Sequence, residues 1–98
     1  PVSETINLSG ISAHQDANFT EIKSVLQSAL KTGFDLEIAT KTTEHPTFEK
    51  GHCADVKINN KTVGVIGEIS SKIIENYKIR VPVVAFEISL SESILKSL

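Results

Sequence analysis

The chain has 98 residues, of which 40% are hydrophobic and 22% are charged, and its formal net charge is -2. This length predicts a single domain over residues 1–98, and the composition excludes a disordered chain. One cysteine excludes a disulfide framework. Because the net charge is negative and Arg80 is the only arginine, the chain lacks the basic surplus of a nucleic-acid module. No apolar run is long enough for a membrane helix and no signal peptide is visible, so we expect a cytoplasmic protein.

The first third of the chain predicts a strand and a helix. Residues 4–13 alternate loosely and change face after Gly10, which predicts a strand with a bulge or bend at that glycine. Asn18 and Glu21 have the spacing of a capping box, and Gly33 is placed to end the helix. Between them runs an apolar stripe at helical spacing, typical of a core-facing helix: Phe19, Ile22, Val25, Leu26, Ala29 and Leu30.

The region after the helix predicts a strand, a loop and a hairpin. Apolar and polar residues alternate over 34–39, which favours a half-buried strand, whereas the polar stretch 40–51 indicates a loop. The Asn59-Asn60 pair predicts a two-residue type I′ turn. Such a turn pairs Ile58 with Lys61, Val56 with Val63, and Ala54 with Val65. The opposite face would then carry Cys53, Asp55, Lys57, Thr62, Gly64, Ile66 and Glu68.

The last third predicts a short helix, a strand and a terminal helix. Ser70 or Ser71 can cap a helix that runs to about Lys78, and Pro82 opens a strand over Val83–Leu90. One face of that strand is apolar: Val84, Phe86, Ile88 and Leu90. Ile94, Leu95 and Leu98 suggest a terminal helix. The order β-α-β-β-β-α-β-α indicates an α+β fold with helices on one face of a mostly antiparallel sheet.

Two groups of residues could carry chemistry. His52 and Cys53 suggest a zinc site, but neighbouring strand residues point to opposite faces and no second cysteine is available, so we assign no metal ligand. Nothing local supports Cys53 as a hydrolytic nucleophile. Asp55, Glu68 and Glu87 are predicted on the face away from the helices, where carboxylates could perform acid–base work or bind magnesium. We favour the alternative, a polar face that is solvated or covered by a partner.

An ordered string of motifs resembles one known family. It comprises His45-Pro46-Thr47-Phe48, Gly51-His52-Cys53-Ala54-Asp55-Val56, Gly64-Val65-Ile66-Gly67-Glu68-Ile69, and Pro82-Val83-Val84-Ala85-Phe86-Glu87-Ile88. The string is similar to the C-terminal, catalytic-like part of the phenylalanyl-tRNA synthetase beta-subunit family, of the archaeal and eukaryotic type. We interpret twelve of these positions as structural: His45, Pro46, Phe48, Gly51, Ala54, Asp55, Gly64, Gly67, Glu68, Pro82, Phe86 and Glu87.

The resemblance implies a class II synthetase-like sheet and a non-catalytic role in assembly. In that family the alpha subunit forms the adenylate and charges tRNA(Phe), with ATP and magnesium as the requirements of the whole enzyme. The implied partners are the alpha subunit and the remainder of the beta subunit, in a tetramer of two alpha and two beta subunits. The resemblance therefore implies no catalytic, cofactor-binding or metal-binding residue in this chain.

The chain departs from the family pattern at three places. The family usually has arginine after the glycine where this chain has Gly51-His52, and His-Pro where it has Ser70-Ser71. It usually has glycine where Lys78 stands.

An alternative function is a small-molecule-binding regulatory domain of ferredoxin-like type, which shares the same rhythm of strands and helices. The order of strands in the sheet separates the two interpretations.

Overall fold

The computed structural model describes residues 5–95, which form a five-stranded antiparallel sheet and three helices. The elements in chain order are β1 (Thr5–Ala13), α1 (Phe19–Phe34), β2 (Ala39–Thr42), β3 (Phe48–Ile58), β4 (Lys61–Ile69), α2 (Ser71–Asn76), β5 (Val83–Ser91) and α3 (Glu92–Leu95). The predicted α+β class and the predicted order of elements are confirmed. The predicted terminal position Leu98 lies outside the described residues.

The strands are ordered β1-β5-β4-β3-β2, and every neighbouring pair is antiparallel. β1 and β2 are therefore the two edges, and α1 connects one edge of the sheet to the other. The split βαβ unit of a ferredoxin-like fold inserts a strand between two parallel ones within the sheet. Here three strands lie between β1 and β2, the strands that α1 connects, so the strand order does not favour the ferredoxin-like alternative.

Helix α1 begins as predicted but ends later. The Asn18 side chain accepts a hydrogen bond from the backbone N–H of Glu21 at 2.9 Å, which confirms the N-cap. The predicted end at Gly33 and the predicted strand over 34–39 are wrong, because the helix runs through Phe34 and Asp35 caps it with φ 52°. Aspartate tolerates this left-handed conformation, and Lys31 pairs with its carboxylate at 2.7 Å.

The predicted loop over 40–51 is also wrong at both of its ends. It contains three of the four residues of β2, the edge strand Ala39–Thr42, and the first residues of β3, which begins at Phe48. The polar side chains of β2 are compatible with a strand, because β2 is an edge strand whose residues are mostly exposed. The connecting segment between the two strands is therefore only 43–47.

The predicted bulge at Gly10 is absent, because β1 pairs with β5 in one unbroken register from Thr5↔Ser91 to Ala13↔Val83. The change in the apolar pattern instead leaves Ile11 on the outside, 73% exposed. A Cβ on Gly10 would lie 2.4 Å from Cε2 of Phe86, its cross-strand partner. This glycine therefore makes room for an aromatic ring within a regular strand.

The hairpin between β3 and β4 has the predicted turn and an unpredicted bulge. Asn59 and Asn60 have φ values of 52° and 66°, which confirms the type I′ turn. Ile58 pairs with Lys61 as predicted, but the register shifts after Lys57↔Thr62, and Val56 then faces Gly64. Because one extra residue moves every later side chain to the other face, the predicted pairs of Val56 with Val63 and Ala54 with Val65 are wrong.

The core lies on the face of the sheet that α1 covers. Alternate residues of β3, β4 and β5 pack there against the apolar stripe of α1, and Ile94 of α3 joins them. The fully buried members are Ile22, Leu26, Leu30, Val56, Ile58, Ile66, Val84, Ile88 and Leu90. The predicted faces of α1 and β5 are confirmed for these residues, whereas Val25 is half exposed. We call this side the helix face and the other side the open face.

Helix α2 lies beyond the end of β4. Ser70 is its N-cap, accepting from the N–H of Ile73, which confirms one of the two predicted caps. It has no buried residue, so the prediction of helices packed on one face holds for α1 and α3 only. It ends at Asn76, and Lys78 adopts φ 56°. Within residues 5–95 we find no helix that is both long and apolar enough to cross a membrane.

Candidate partner-binding face

The open face of the sheet carries a shallow groove of about 780 Å³ over β1, β5 and β4. Register places Ser9, Glu87 and Val65 side by side across it, and Ile11, Ala85 and Gly67 in the next row. The turn before β3 forms one wall. Among the described residues that line the groove are Ser9, Ile11, His45, Phe48, Val65, Ala85 and Glu87, and we call it the open-face groove.

The wall is a compact turn that orients His45 and Phe48. The backbone N–H of Phe48 donates to the carbonyl of His45 at 3.0 Å, and the N–H of Thr47 donates to Nδ1 of His45 at 3.3 Å. The two rings meet edge to face with centroids 5.6 Å apart. The carbonyl of Thr47 accepts from the N–H of Ser70 at 2.9 Å, which ties the turn to the start of α2.

Two glycines of β4 allow close packing where side chains would not fit. A Cβ on Gly67 would lie 2.7 Å from the carbonyl oxygen of His52 and 2.8 Å from Cδ1 of Phe48. A Cβ on Gly64 would lie 2.0 Å from the carbonyl oxygen of Glu87. Atoms of β3 and β5 therefore make the close approaches that were predicted at these glycines.

The predicted cluster of three carboxylates does not form. Register brings Asp55, Val65 and Glu87 into one row of the open face. The bulge in β4 moves Glu68 to the helix side of the sheet, opposite Val84, where it lies 3.3 Å from Nδ1 of His52. Of the three carboxylates predicted to share this face, only Asp55 and Glu87 do so, and Val65 separates them.

The two remaining carboxylates differ in their surroundings. Asp55 has Lys41 of β2 as its cross-strand partner, so a lysine on the same face neighbours it. Glu87 is exposed in the groove, and its carboxylate makes no hydrogen bond or ion pair with any of residues 5–95. An apolar groove with one unpaired carboxylate suits a partner surface that presents a cation among apolar groups.

Cys53 lies in β3 beside Gly67 and is 4% exposed. Burial raises the pKa of its thiol, and the Asp55 carboxylate raises that pKa further. Since the nucleophile is the thiolate, both effects act against nucleophilic chemistry. Within residues 5–95, no three His, Cys, Asp or Glu side chains are grouped so that they could hold a metal ion.

The single arginine, Arg80, does not line the open-face groove. Arg80 is exposed and lines a separate recess of about 350 Å³ beside α2, together with Glu49, Ile74 and Pro82. Glu49 is the residue that the sequence analysis missed here: its carboxylate accepts from the N–H of Ser71 at 2.9 Å and from its hydroxyl at 3.3 Å. These partners are 22 positions apart in sequence, and no local pattern indicates such a contact.

The twelve motif positions lie in several parts of the fold, and Phe86 contributes both to the core and to the groove lining. His45, Phe48, Gly64, Phe86 and Glu87 line the open-face groove, with Asp55 and Gly67 next to it. Ala54 and Phe86 belong to the core, and Glu68 faces His52 at the sheet end. Gly51 has φ 81° at the irregularity in β3, Pro46 is exposed in the turn, and half-buried Pro82 precedes β5. Their structural interpretation stays a prediction.

Comparison with known proteins gives a consistent result. Residues 2–90 match the family described as "Phenylalanyl tRNA synthetase beta chain CLM domain". The chain is 38% identical over 87 residues to a phenylalanine--tRNA ligase beta subunit of Methanococcoides burtonii, covering 89% of this chain and 16% of that protein. It is 44% identical over 79 residues to the one from Pyrococcus abyssi, covering 80% of this chain and 14% of that protein. The chain thus spans about one sixth of the length of these relatives.

Proposed function

The chain belongs to the phenylalanyl tRNA synthetase beta chain CLM domain family, and from this premise we propose that it is a non-catalytic assembly module of the beta subunit of a phenylalanine--tRNA ligase. We further propose that its sheet is of the class II synthetase type, and that it lies in the C-terminal, catalytic-like part of the longer subunit. The whole enzyme would act in the cytoplasm, where its alpha subunit would use ATP and magnesium to charge tRNA(Phe) with phenylalanine.

The observation that carries the proposal is the contrast between the open-face groove and the needs of adenylation. That reaction gathers negative charge on phosphorus, which preorganised arginines or bound magnesium must stabilise. Among the described residues lining the groove, Glu87 is a carboxylate and His45 is the other ionisable side chain. Arg80 lies beside α2 instead. A triphosphate would be repelled by Glu87 and would find no arginine fork.

The same groove suits another polypeptide. Its apolar lining, which includes Ile11, Phe48 and Val65, is open to solvent, and Glu87 supplies one anionic contact. We propose that the alpha subunit, or the remainder of the beta subunit, covers this surface. The exclusion of charged residues from most of the groove is typical of the centre of a protein interface.

Isothermal titration calorimetry tests the lack of catalytic function. The chain titrated with ATP, magnesium and phenylalanine should give no saturable heat. ATP binding in the micromolar range would overturn the assembly-module proposal and favour an enzymatic one.

Co-purification tests the assembly role. We expect the chain to be retained by a phenylalanine--tRNA ligase alpha subunit co-expressed with the rest of its beta subunit. Glu87→Lys should reduce retention, because it reverses the anionic contact in the groove. Glu37→Lys is the matched control, since the Glu37 side chain is 85% exposed and lies on the loop after α1. Equal retention of both variants would show that the groove is not the covered surface.

A further inference from the structure

The two edges of the sheet differ in how they are protected. An edge strand exposes unpaired N–H and C=O groups, and proteins usually guard such edges with charges, prolines, bulges or short length. β2 is four residues long and carries Lys41. β1 is nine residues long, with the sequence TINLSGISA, and contains no charged residue and no proline. Its register with β5 is unbroken, so it has no bulge either.

β1 also exposes two large apolar side chains. Ile11 is 73% exposed and Ile6 is 36% exposed, and they are two of the large hydrophobic residues that the described chain leaves in solvent. Each of the other four described strands carries at least one lysine, aspartate or glutamate. Among the described strands, β1 therefore has no charge, proline or bulge to prevent pairing with another strand, and its edge away from β5 has no described neighbour.

We propose that the free edge of β1 pairs with β1 of a second copy of this chain, in antiparallel register about Ser9. Ser9 is the midpoint of Thr5–Ala13, so this register uses all nine residues of both strands. A two-fold axis there generates a closed symmetric dimer with a continuous ten-stranded sheet. The inference does not depend on the function proposed above.

Three features favour a second copy as the occupant. Pairing about Ser9 places the odd-numbered residues of β1, which lie on the open face, opposite odd-numbered residues of the second copy, and even-numbered residues opposite even-numbered ones. The opposed pairs are Thr5 with Ala13, Ile6 with Ser12, Asn7 with Ile11, and Leu8 with Gly10. The open faces of the two copies therefore join on one side, and their helix faces join on the other. No charge opposes another, whereas a self-paired β2 would bring Lys41 close to a second Lys41. The exposed Ile11 gains a neighbouring strand that covers it.

The dimer should be weak. Its contacts are main-chain hydrogen bonds along one strand with few large side chains, which corresponds to the small, transient class of interface. Sedimentation velocity over a wide concentration series should show a monomer at low concentration and a dimer at high concentration. Hydrogen–deuterium exchange of the β1 amides should slow as the concentration rises. A chain that stays monomeric at every concentration overturns the proposal and leaves the edge to a strand of another polypeptide.

A charge exchange at the two-fold axis distinguishes this dimer from any other. Ser9 is exposed, so both Ser9→Lys and Ser9→Glu should fold, and Ser9→Glu should be the less stable because Glu87 lies opposite it on β5. Each variant places two like charges opposite one another across the two-fold axis and should weaken its own dimer several-fold. An equimolar mixture of the two variants should restore dimerisation, because opposite charges then meet. Thr42→Lys on the other edge is the control and should leave dimerisation unchanged. If both single variants dimerise like the parent chain, or if the mixture shows no restoration, the β1 edge is not the interface.

Discussion

On both faces of the sheet a glycine packs against an aromatic ring, but the two rings have different surroundings. On the helix face, Gly10 lies beneath the ring of Phe86, and on the open face Gly67 lies beneath the ring of Phe48. Phe86 is part of a core that α1 closes, whereas Phe48 is half-buried and forms a wall of the open-face groove. A glycine under an aromatic ring therefore solves the same packing problem on both faces, and the covering helix decides whether the surface is core or groove.

The largest expected effect tests whether the helix face supplies the stability. Leu26→Ala removes a fully buried side chain of α1 and should lower the free energy of unfolding by about 3 kcal/mol. Val65→Ala removes a half-buried side chain of the open face and should cost about 1 kcal/mol. Urea denaturation of both variants measures the difference. Equal losses would mean that the open face contributes as much stability as the core.

Adding one methyl group at either glycine tests the two ring contacts. Gly67→Ala and Gly10→Ala should each cost about 2 kcal/mol, because the new Cβ meets an aromatic ring and, at Gly67, also a backbone oxygen. Gly33→Ala is the control: no atom lies within 4 Å of its Cβ, and the helix should gain up to about 1 kcal/mol. Thermal unfolding measures all three. A loss at Gly33 like that at Gly67 would contradict the packing explanation.

The cap of α1 tests how firmly the covering helix is fixed. Asn18→Ala leaves the N–H of Glu21 without its side-chain acceptor and should lower stability by roughly 1 kcal/mol. Asn18→Asp keeps an acceptor and serves as the control. An unchanged urea midpoint for the alanine variant would show that the helix start does not depend on this bond.

The hairpin turn decides which side chains of β4 reach each face, and a smaller effect tests it. Asn60 has φ 66°, a conformation that glycine adopts without strain, so Asn60→Gly should raise stability by up to about 1 kcal/mol. Thr62→Gly, on the strand after the turn, should lower it. A clear loss at Asn60 would contradict the type I′ geometry.

The smallest expected effect is the pH dependence of the link between β1 and α1. The hydrogen bond from the Ser12 hydroxyl lowers the pKa of Glu21 below its ordinary value of 4.5, and His14 lowers it further. A carboxyl whose pKa is lower in the folded state stabilises the fold above the unfolded pKa and loses this contribution as the pH falls through the folded pKa. Glu21→Gln should therefore flatten the loss of stability in acid. An identical pH profile for variant and parent would contradict this.

The helix face was largely predictable from sequence, because periodicity reports burial directly. The stripe of α1 and the apolar side of β5 contain the residues found in the core. The open face was not predictable from sequence, because a single bulge before Gly64 moved every later side chain of β4 to the opposite face. This bulge separated Glu68 from Asp55 and Glu87. Nothing in the local sequence marks that bulge, since what favours it is the fit of Ile66 beneath α1, a tertiary contact.

The predicted boundary between α1 and the strand that follows it was wrong for a related reason. Phe34 and Leu36 fit a strand pattern equally well, and the helix extended instead because Asp35 accepted a left-handed cap and paired with Lys31. The wall of the groove was not predicted, because the contacts of Thr47 and Glu49 are made with Ser70 and Ser71, more than twenty residues away. Long-range hydrogen bonds of this kind leave no periodicity in a sequence.

The pairing of β1 with β5 has a kinetic consequence. Their partners, such as Thr5 and Ser91, are separated by nearly the whole described chain, and β5 is the only described neighbour of β1. During synthesis, β1, the uncharged strand among the five that are described, must therefore remain exposed until β5 has been synthesised. Because such distant contacts carry a high entropic cost of loop closure, folding should be slow for a domain of this size and sheet assembly should end with β1.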